Sequence, residues 1–300
     1  MRFRAMGTEV LVLAIGGPPS LPRYARSRIE GLERRWSRFL PDSELSRLNR
    51  AGGGPARVGE DTIDLLERAV AGWRLTSGAF DPTVHDALVA AGYDRDIDEV
   101  RRAPGAGRAA RPAGSPGCAG VSIDRASRRV ELAPGVRIDL GAIAKGHAAD
   151  LVTGELCAMG ARGALVSVGG DLRARGEAEG GHGWVIAIED PFEAGGEVAR
   201  VALADGAVAT SSRVRRAWRR DGRPAHHLIE PAVGRPAWGG LAQASAITRD
   251  CWLAEVLATA AMVRGRRDGL AALEGAGATG LLVGDDGARH PAPGLEGLLA

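Results

Sequence analysis

The chain holds a single lysine, Lys145, inside the run RIDLGAIAKGHAAD spanning residues 137–150. An acid, Asp139, enters a turn of small residues, and Gly141, Ala142 and Gly146 leave room for a ligand to approach the backbone. Lys145 in that turn places a positive charge where a phosphate is expected to sit, and the N-terminus of a following helix adds to it. A second pair lies near the other end of the sequence. Glu255 and Thr259 are four residues apart in a helical pattern and share one face. Two oxygens at that spacing suit a hard cation such as Mg²⁺, which takes oxygen ligands and commonly bridges to substrate phosphates. The same spacing also fits a solvated glutamate beside a helix-satisfied threonine.

Three further segments carry reactive side chains. In SGAFDPTVHDAL (77–88), Pro82 keeps Asp81 out of the helical region. Phe80 and Asp81 there are placed to clamp and hydrogen-bond a planar ring, or Asp81 or Thr83 simply caps a helix. In VSVGGDLRARG (166–176), a strand runs into Gly169–Gly170–Asp171, either a close-approach loop or a plain turn. In VATSSRVRRAWRR and HHLIEPAVGRP (208–236), an arginine cluster forms a basic rim suited to a phosphorylated ligand. His226 and His227 lack the acidic or thiol neighbours of a metal site.

The elements that must position these groups are read from periodicity. Residues 5–15 fit a strand, 22–36 a helix through Ile29, Leu32 and Trp36, and 61–73 a helix through Ile63, Leu66, Val70 and Trp73. Asp61 is expected to cap the latter, with Asp64 in its first turn. Val121–Ile123 and Val130–Leu132 fit a hairpin; Val136, Ile138 and Leu140 fit a strand leading into Lys145 and a helix from about Gly146. Strands are expected at 164–168, 184–188, 198–203, 208–210 and 279–284, and a helix at 249–263 with Leu253, Val256, Leu257 and Ala260 facing a core, away from Glu255 and Thr259. The Gly- and Pro-rich end is expected to fray. Elements in blocks rather than strict alternation favour α+β. The Gly-, Pro- and Ala-rich run 103–117 reads as a loop or insertion.

Composition excludes several classes. A net charge of +2 over 300 residues argues against a general nucleic-acid binder. Three scattered cysteines, Cys118, Cys157 and Cys251, give neither zinc spacing nor a disulfide framework. No run reaches the roughly 18 apolar residues of a membrane span. The start MRFRAMGTEVLVLAIGG reads as a strand rather than a signal peptide, so a cytoplasmic protein is expected.

The motifs, taken in order, resemble one family. MGT (6–8), FLPDSELSRLN (39–49), GAFDPTV (78–84), DLGAIAKG (139–146), VSVGGD (166–171), ATSS (209–212), HLIEPAVGRP (227–236) and AEVLATA (254–260) are similar to those of the FAD:protein FMN transferases, the ApbE family, over about residues 5–285. The resemblance implies an α+β fold of mixed sheets flanked by helices, one transferase domain over 1–300 with its active site in a cleft between two subdomains. It implies FAD as substrate, Mg²⁺ or Mn²⁺ as cofactor, and transfer of FMN to a Thr or Ser hydroxyl of an acceptor flavoprotein with release of AMP. By motif, Ala142 (through its carbonyl), Glu255 and Thr259 would hold the metal. Met6, Phe39, Ala79, Phe80, Asp81, Asp139, Lys145 and Ile229 would contact FAD, with Asp139 and Lys145 as catalytic candidates. Asp139 qualifies as a base only if its carboxylate is not otherwise engaged and lies near the acceptor. The chain has Glu at 255 and 230 where the family usually has Asp. Two other activities fit the same site: FAD hydrolysis to FMN and AMP, and FAD binding without turnover.

Overall fold

The computed structural model describes residues 1–102, 113–220 and 222–300. Most of the 103–117 segment therefore lies outside the described residues; 113–117 is irregular chain. Two compact units are present, one of residues 1–31, 143–212 and 239–300, the other of 32–142 and 213–238.

The first unit is built on an antiparallel eight-stranded sheet. Its order is Arg2–Ala5, Thr8–Ile15, Gly163–Val168, Asp171–Gly176, Asp205–Ser212, Leu241–Thr248, Thr279–Gly284 and Arg289–Pro291. The strand expected at 5–15 is in fact a hairpin: Ala5 pairs with Thr8 around Met6 and Gly7, which both take positive φ. Two-residue turns with positive φ match the twist of paired strands. Gly169 and Gly170 make the same kind of turn, the plain-turn alternative of the sequence, and it leads into the unforeseen strand Asp171–Gly176.

Strand alternation divides this sheet into two faces. Leu165, Leu172, Ala174, Val208, Ile247, Leu281 and Val283 face a hairpin of Trp184–Glu189 and Glu197–Leu203, which covers them with Trp184, Ile186, Ile188, Val198 and Val201. Leu295 joins that core, and Arg289–Pro291 pairs with Thr279–Gly284, so the C-terminal segment is packed rather than frayed. The opposite face is covered by the helices Ala144–Ala158 and Cys251–Arg264, with Arg266–Gly275 against the latter.

The Cys251–Arg264 helix departs from the expected two-sided pattern. From Ala254 to Met262 every residue is buried, including Glu255 and Thr259. A helix that is apolar nearly all round belongs in an interior; Glu255 is its sole charge before Arg264.

In the second unit the helix Glu60–Leu75 begins after Gly59, which offers no side-chain cap. Asp61 instead pairs with Arg35 at 2.5 Å, and Asp64 lies beyond the first turn, paired with Arg125 at 2.6 Å. The Val121–Asp124 and Arg129–Leu132 hairpin forms as expected, with Ala56–Arg57 added at its edge. Residues 136–140 form no ladder strand. The Asn49 side chain takes the partner strand's place, accepting the Ile138 N–H and donating to its carbonyl, both at 2.8 Å. Tyr93, Trp218, Leu88 and Ile229 form a further core with Ala87, Ile97, Val100 and Ala225. Among the described residues no helix is long and apolar enough to cross a membrane.

The Ala144–Ala158 and Cys251–Arg264 helices touch at Gly146, where an added Cβ would lie 2.5 Å from the Cys251 carbonyl oxygen. Alanine normally stabilises a helix interior relative to glycine by about 0.5–1 kcal/mol. Here Gly146→Ala is expected to lower stability by roughly 1–3 kcal/mol through overpacking against backbone. A shift of the urea midpoint to lower concentration checks the sign.

Candidate active site

In the first unit, three charged side chains converge between the helices and the sheet. Lys145, in the first turn of the Ala144–Ala158 helix, pairs with both Asp171 and Glu255 through its ammonium. Asp171 reaches it because the Gly169–Gly170 turn starts a strand whose odd-numbered residues face the helices. Glu255 comes from the opposite helix, and its second oxygen accepts the Gly146 N–H at 2.8 Å. The second Asp171 oxygen accepts the Thr210 N–H at 3.0 Å. Both carboxylates are only 2% exposed.

Burial pushes the Glu255 carboxyl above its ordinary range, against the pull of Lys145 and the Gly146 N–H. Two carboxyls face one ammonium, an excess of acid that a further cation would offset. One helical turn beyond Glu255, Thr259 shares its hydroxyl with Ser211 at 3.1 Å. The donors on this helix are therefore hard oxygens, the chemistry Mg²⁺ requires. Among the described residues no group of three or more His, Cys, Asp or Glu is arranged to hold a metal. A cation here would thus depend on carbonyl, hydroxyl and substrate oxygens besides Glu255, as Mg²⁺ commonly does. Ala142, the expected carbonyl donor, lies in the turn just before the Ala144–Ala158 helix.

Lys145 is the second residue of its helix and has two acidic partners. Its ammonium faces two carboxylates, so its first function is to neutralise them. An unpaired buried charge costs several kcal/mol, so this pairing stabilises the folded arrangement.

In the second unit, Asp139 is engaged on both sides. Its carboxylate pairs with Arg38 Nε at 2.6 Å and accepts the Gly141 N–H at 2.8 Å. The condition for a base role is therefore not met. Arg38 in turn lies over the Phe39 and Tyr93 rings, with Cζ 4.2 and 4.6 Å from their centroids, and donates to the Tyr93 carbonyl at 2.7 Å. Cations over aromatic faces are attracted by the ring quadrupole. Phe39 itself is 39% exposed, an aromatic surface held in place by a buried ion pair. Asp139 donates its own N–H to the Pro82 carbonyl at 2.7 Å, which ties this cluster to the Asp81 loop.

Asp81 caps no helix. It accepts from the Thr83 N–H at 2.7 Å and the Thr83 hydroxyl at 2.6 Å, and burial raises its carboxyl above the ordinary range. The Phe80 ring is 2% exposed and sits in the core, so it is not offered as a clamp. Ala79 donates its N–H to Thr76, closing the same turn. Ile229 is buried against Tyr93 and Trp218, leaving its backbone as the part able to meet a ligand. Met6 sits in the first hairpin turn at φ 54°, a conformation costly for a residue with a Cβ. Burial pushes the Cys118 thiol up to about 12 and those of Cys157 and Cys251 upward as well.

Sequence reasoning missed Arg38, Tyr93, Ser211 and the role of Asp171. The signal for Asp171 was present: a glycine pair with an acid directly after it, at the start of an alternating strand. Nothing marks Arg38 among so many arginines.

The fold is a mixed α+β one, and solved structures share that fold. The fold matches the ApbE protein of Thermotoga maritima with a TM-score of 0.86 at 28% identity, covering 100% of this chain and 98% of that one. It matches the flavin transferase ApbE from Vibrio cholerae with a TM-score of 0.81 at 27% identity, covering 100% and 98%. Residues 6–282 match the ApbE family, and the chain belongs to it. The FAD:protein FMN transferase of Rhodobacter capsulatus is 32% identical over 306 residues, covering 99% of this chain; the chain spans 57% of that relative's length.

His226 gives this region a pH dependence. Its imidazole is buried, stacked edge-on against Trp238 at 4.8 Å, and burial lowers it from 6.5 to about 4. The folded state then binds fewer protons than the unfolded state between those values, so stability falls as pH drops from about 6.5 to about 4. Urea unfolding is expected to show that loss, on the order of 3 kcal/mol, and His226→Gln should show a flatter profile over the same window.

Proposed function

We propose that this protein is a Mg²⁺-dependent transferase that moves FMN from FAD onto a Thr or Ser hydroxyl of an acceptor flavoprotein and releases AMP. The observation that carries the reading is the buried pairing of Glu255 with Lys145 and Gly146, with Thr259 one turn further along the same helix. Family membership and the activity in the names of the relatives support it.

Glu255, Thr259 and the Ala142 carbonyl are assigned to hold the metal. Mg²⁺ there would supply charge neutralisation on the pyrophosphate and orient its leaving phosphate. Lys145 works against the burial that raises the Glu255 carboxyl, aims it, and adds a fixed positive charge near the reacting phosphate. Phe39, Asp139, Ile229, Met6 and the 79–81 loop are assigned to FAD contact, with Arg38 holding Phe39 and Asp139 in place. In the transfer, the acceptor oxygen forms a bond to the FMN phosphorus, the pyrophosphate P–O bond breaks, and AMP departs with that electron pair. The hydroxyl proton must leave to a group other than Asp139, whose carboxylate is occupied.

Purified protein incubated with FAD, Mg²⁺ and a Thr-bearing acceptor should add the mass of FMN to the acceptor and release AMP in equal amount. Glu255→Gln and Thr259→Val should each slow adduct formation by about 10²-fold or more, the scale of losing one preorganised electrostatic group. Free FMN without adduct would identify a hydrolase, and intact bound FAD a binding protein; either result would overturn the transferase reading.

A further inference from the structure

The two helices that carry the charged cluster cap each other. The first N–H groups of any helix have no partner within it. In the Cys251–Arg264 helix no side chain of its own N-cap residue supplies one. Asp150 of the other helix does so, its two oxygens accepting the Cys251 N–H at 2.8 Å and the Trp252 N–H at 2.9 Å. In return, Glu255 accepts the Gly146 N–H at 2.8 Å. The spacing is symmetrical: Gly146 and Asp150 are four residues apart on one helix, Cys251 and Glu255 four apart on the other. Gly146 makes the approach possible, since a side chain there would meet the Cys251 carbonyl. Each carboxylate also has a basic neighbour: Lys145 for Glu255, and for Asp150 the buried Arg173, with Nε at 3.6 Å.

We infer that Asp150 is a positioning residue that sets where the Glu255 carboxylate sits, by fixing the start of its helix against the Lys145 helix. As a statement about metal binding, this rests on the transferase reading above. As a statement about the two helices, it stands independently. A carboxylate is the group required, because both backbone N–H donors need an acceptor oxygen. An amide at position 150 offers one acceptor and turns donors toward the other N–H. Loss of the cap lets the first turn of the Cys251–Arg264 helix shift, and Glu255, one turn in, moves with it. Mg²⁺ demands near-ideal geometry, so a small shift in this ligand is felt as lost affinity.

The test is amide hydrogen exchange on the metal-free protein, followed by Mn²⁺ binding measured by electron paramagnetic resonance. Asp150→Asn should speed exchange at Cys251 and Trp252, and also at Gly146 on the other helix, by about tenfold or more, since Gly146 depends on Glu255. It should weaken Mn²⁺ binding by roughly 10–100-fold, as loss of a supporting group around a metal does. Ile186→Ala, in the hairpin on the far face of the sheet, serves as a destabilised control and should change neither. Loss of protection confined to Cys251 and Trp252 would reduce Asp150 to a local cap and overturn the inference. Equal loss of Gly146 protection in Ile186→Ala would overturn it too. Should Asp150→Asn not fold, Asp150→Glu carries the same readout, keeping the charge and displacing it by one methylene. If wild type binds no Mn²⁺, the metal reading fails, while the exchange at Gly146 still decides the role of Asp150.

Discussion

Ionising Glu255 inside the protein is the constraint around which the first unit is arranged. The carboxylate is 2% exposed on a helix whose neighbouring residues are nearly all buried. Removing such a charge from water costs several kcal/mol unless partners surround it. Three features supply them together: the Lys145 ammonium, the Gly146 N–H and the absence of a side chain at Gly146. The sheet brings a second acid to the same place, because the Gly169–Gly170 turn delivers Asp171 to that ammonium, where its charge works against ionising Glu255. Three segments distant in sequence, around Lys145, Asp171 and Glu255, therefore have to arrive together before the cluster forms.

The second unit solves a similar problem with different chemistry. Asp139 is held by Arg38, and the guanidinium is covered by the Phe39 and Tyr93 rings. Arginine suits this position because its flat, delocalised charge both pairs with a carboxylate and stacks on aromatic faces. Irregular chain around Ile138 is stabilised by the Asn49 amide, which satisfies both backbone groups of one residue without a strand. Buried backbone polar groups need partners wherever they lie, and here a side chain provides them.

Glycine has separate uses along the same path. At 169 and 170 it permits the positive φ that a two-residue hairpin turn requires. At 146 the conformation is helical and ordinary; what matters is volume, since the Cys251 carbonyl occupies the place of a side chain. The contrast explains why a glycine count says little about a fold, whereas the surroundings of one glycine can determine a helix crossing.

Much of the architecture was legible because its signals are local. Short apolar runs identified the strands at 164–168, 184–188, 198–203 and 279–284, and helical spacing identified 22–36 and the helix ending near 264. The motif residues Lys145, Glu255 and Thr259 could be singled out by type and spacing alone. The missed strand Leu241–Thr248 is composed largely of small residues that carry no alternation, being buried on both faces. Whether Glu255 faced water or the interior was also undecided by helical spacing, although the apolar run around it pointed inward. Partners were the part local reading could not reach. Lys145 lies 26 residues from Asp171 and 110 from Glu255, and Asp150 lies 101 from Cys251. A side chain's charge and reach are properties of its own residue, but its desolvation and its choice of partner depend on which distant backbone packs against it.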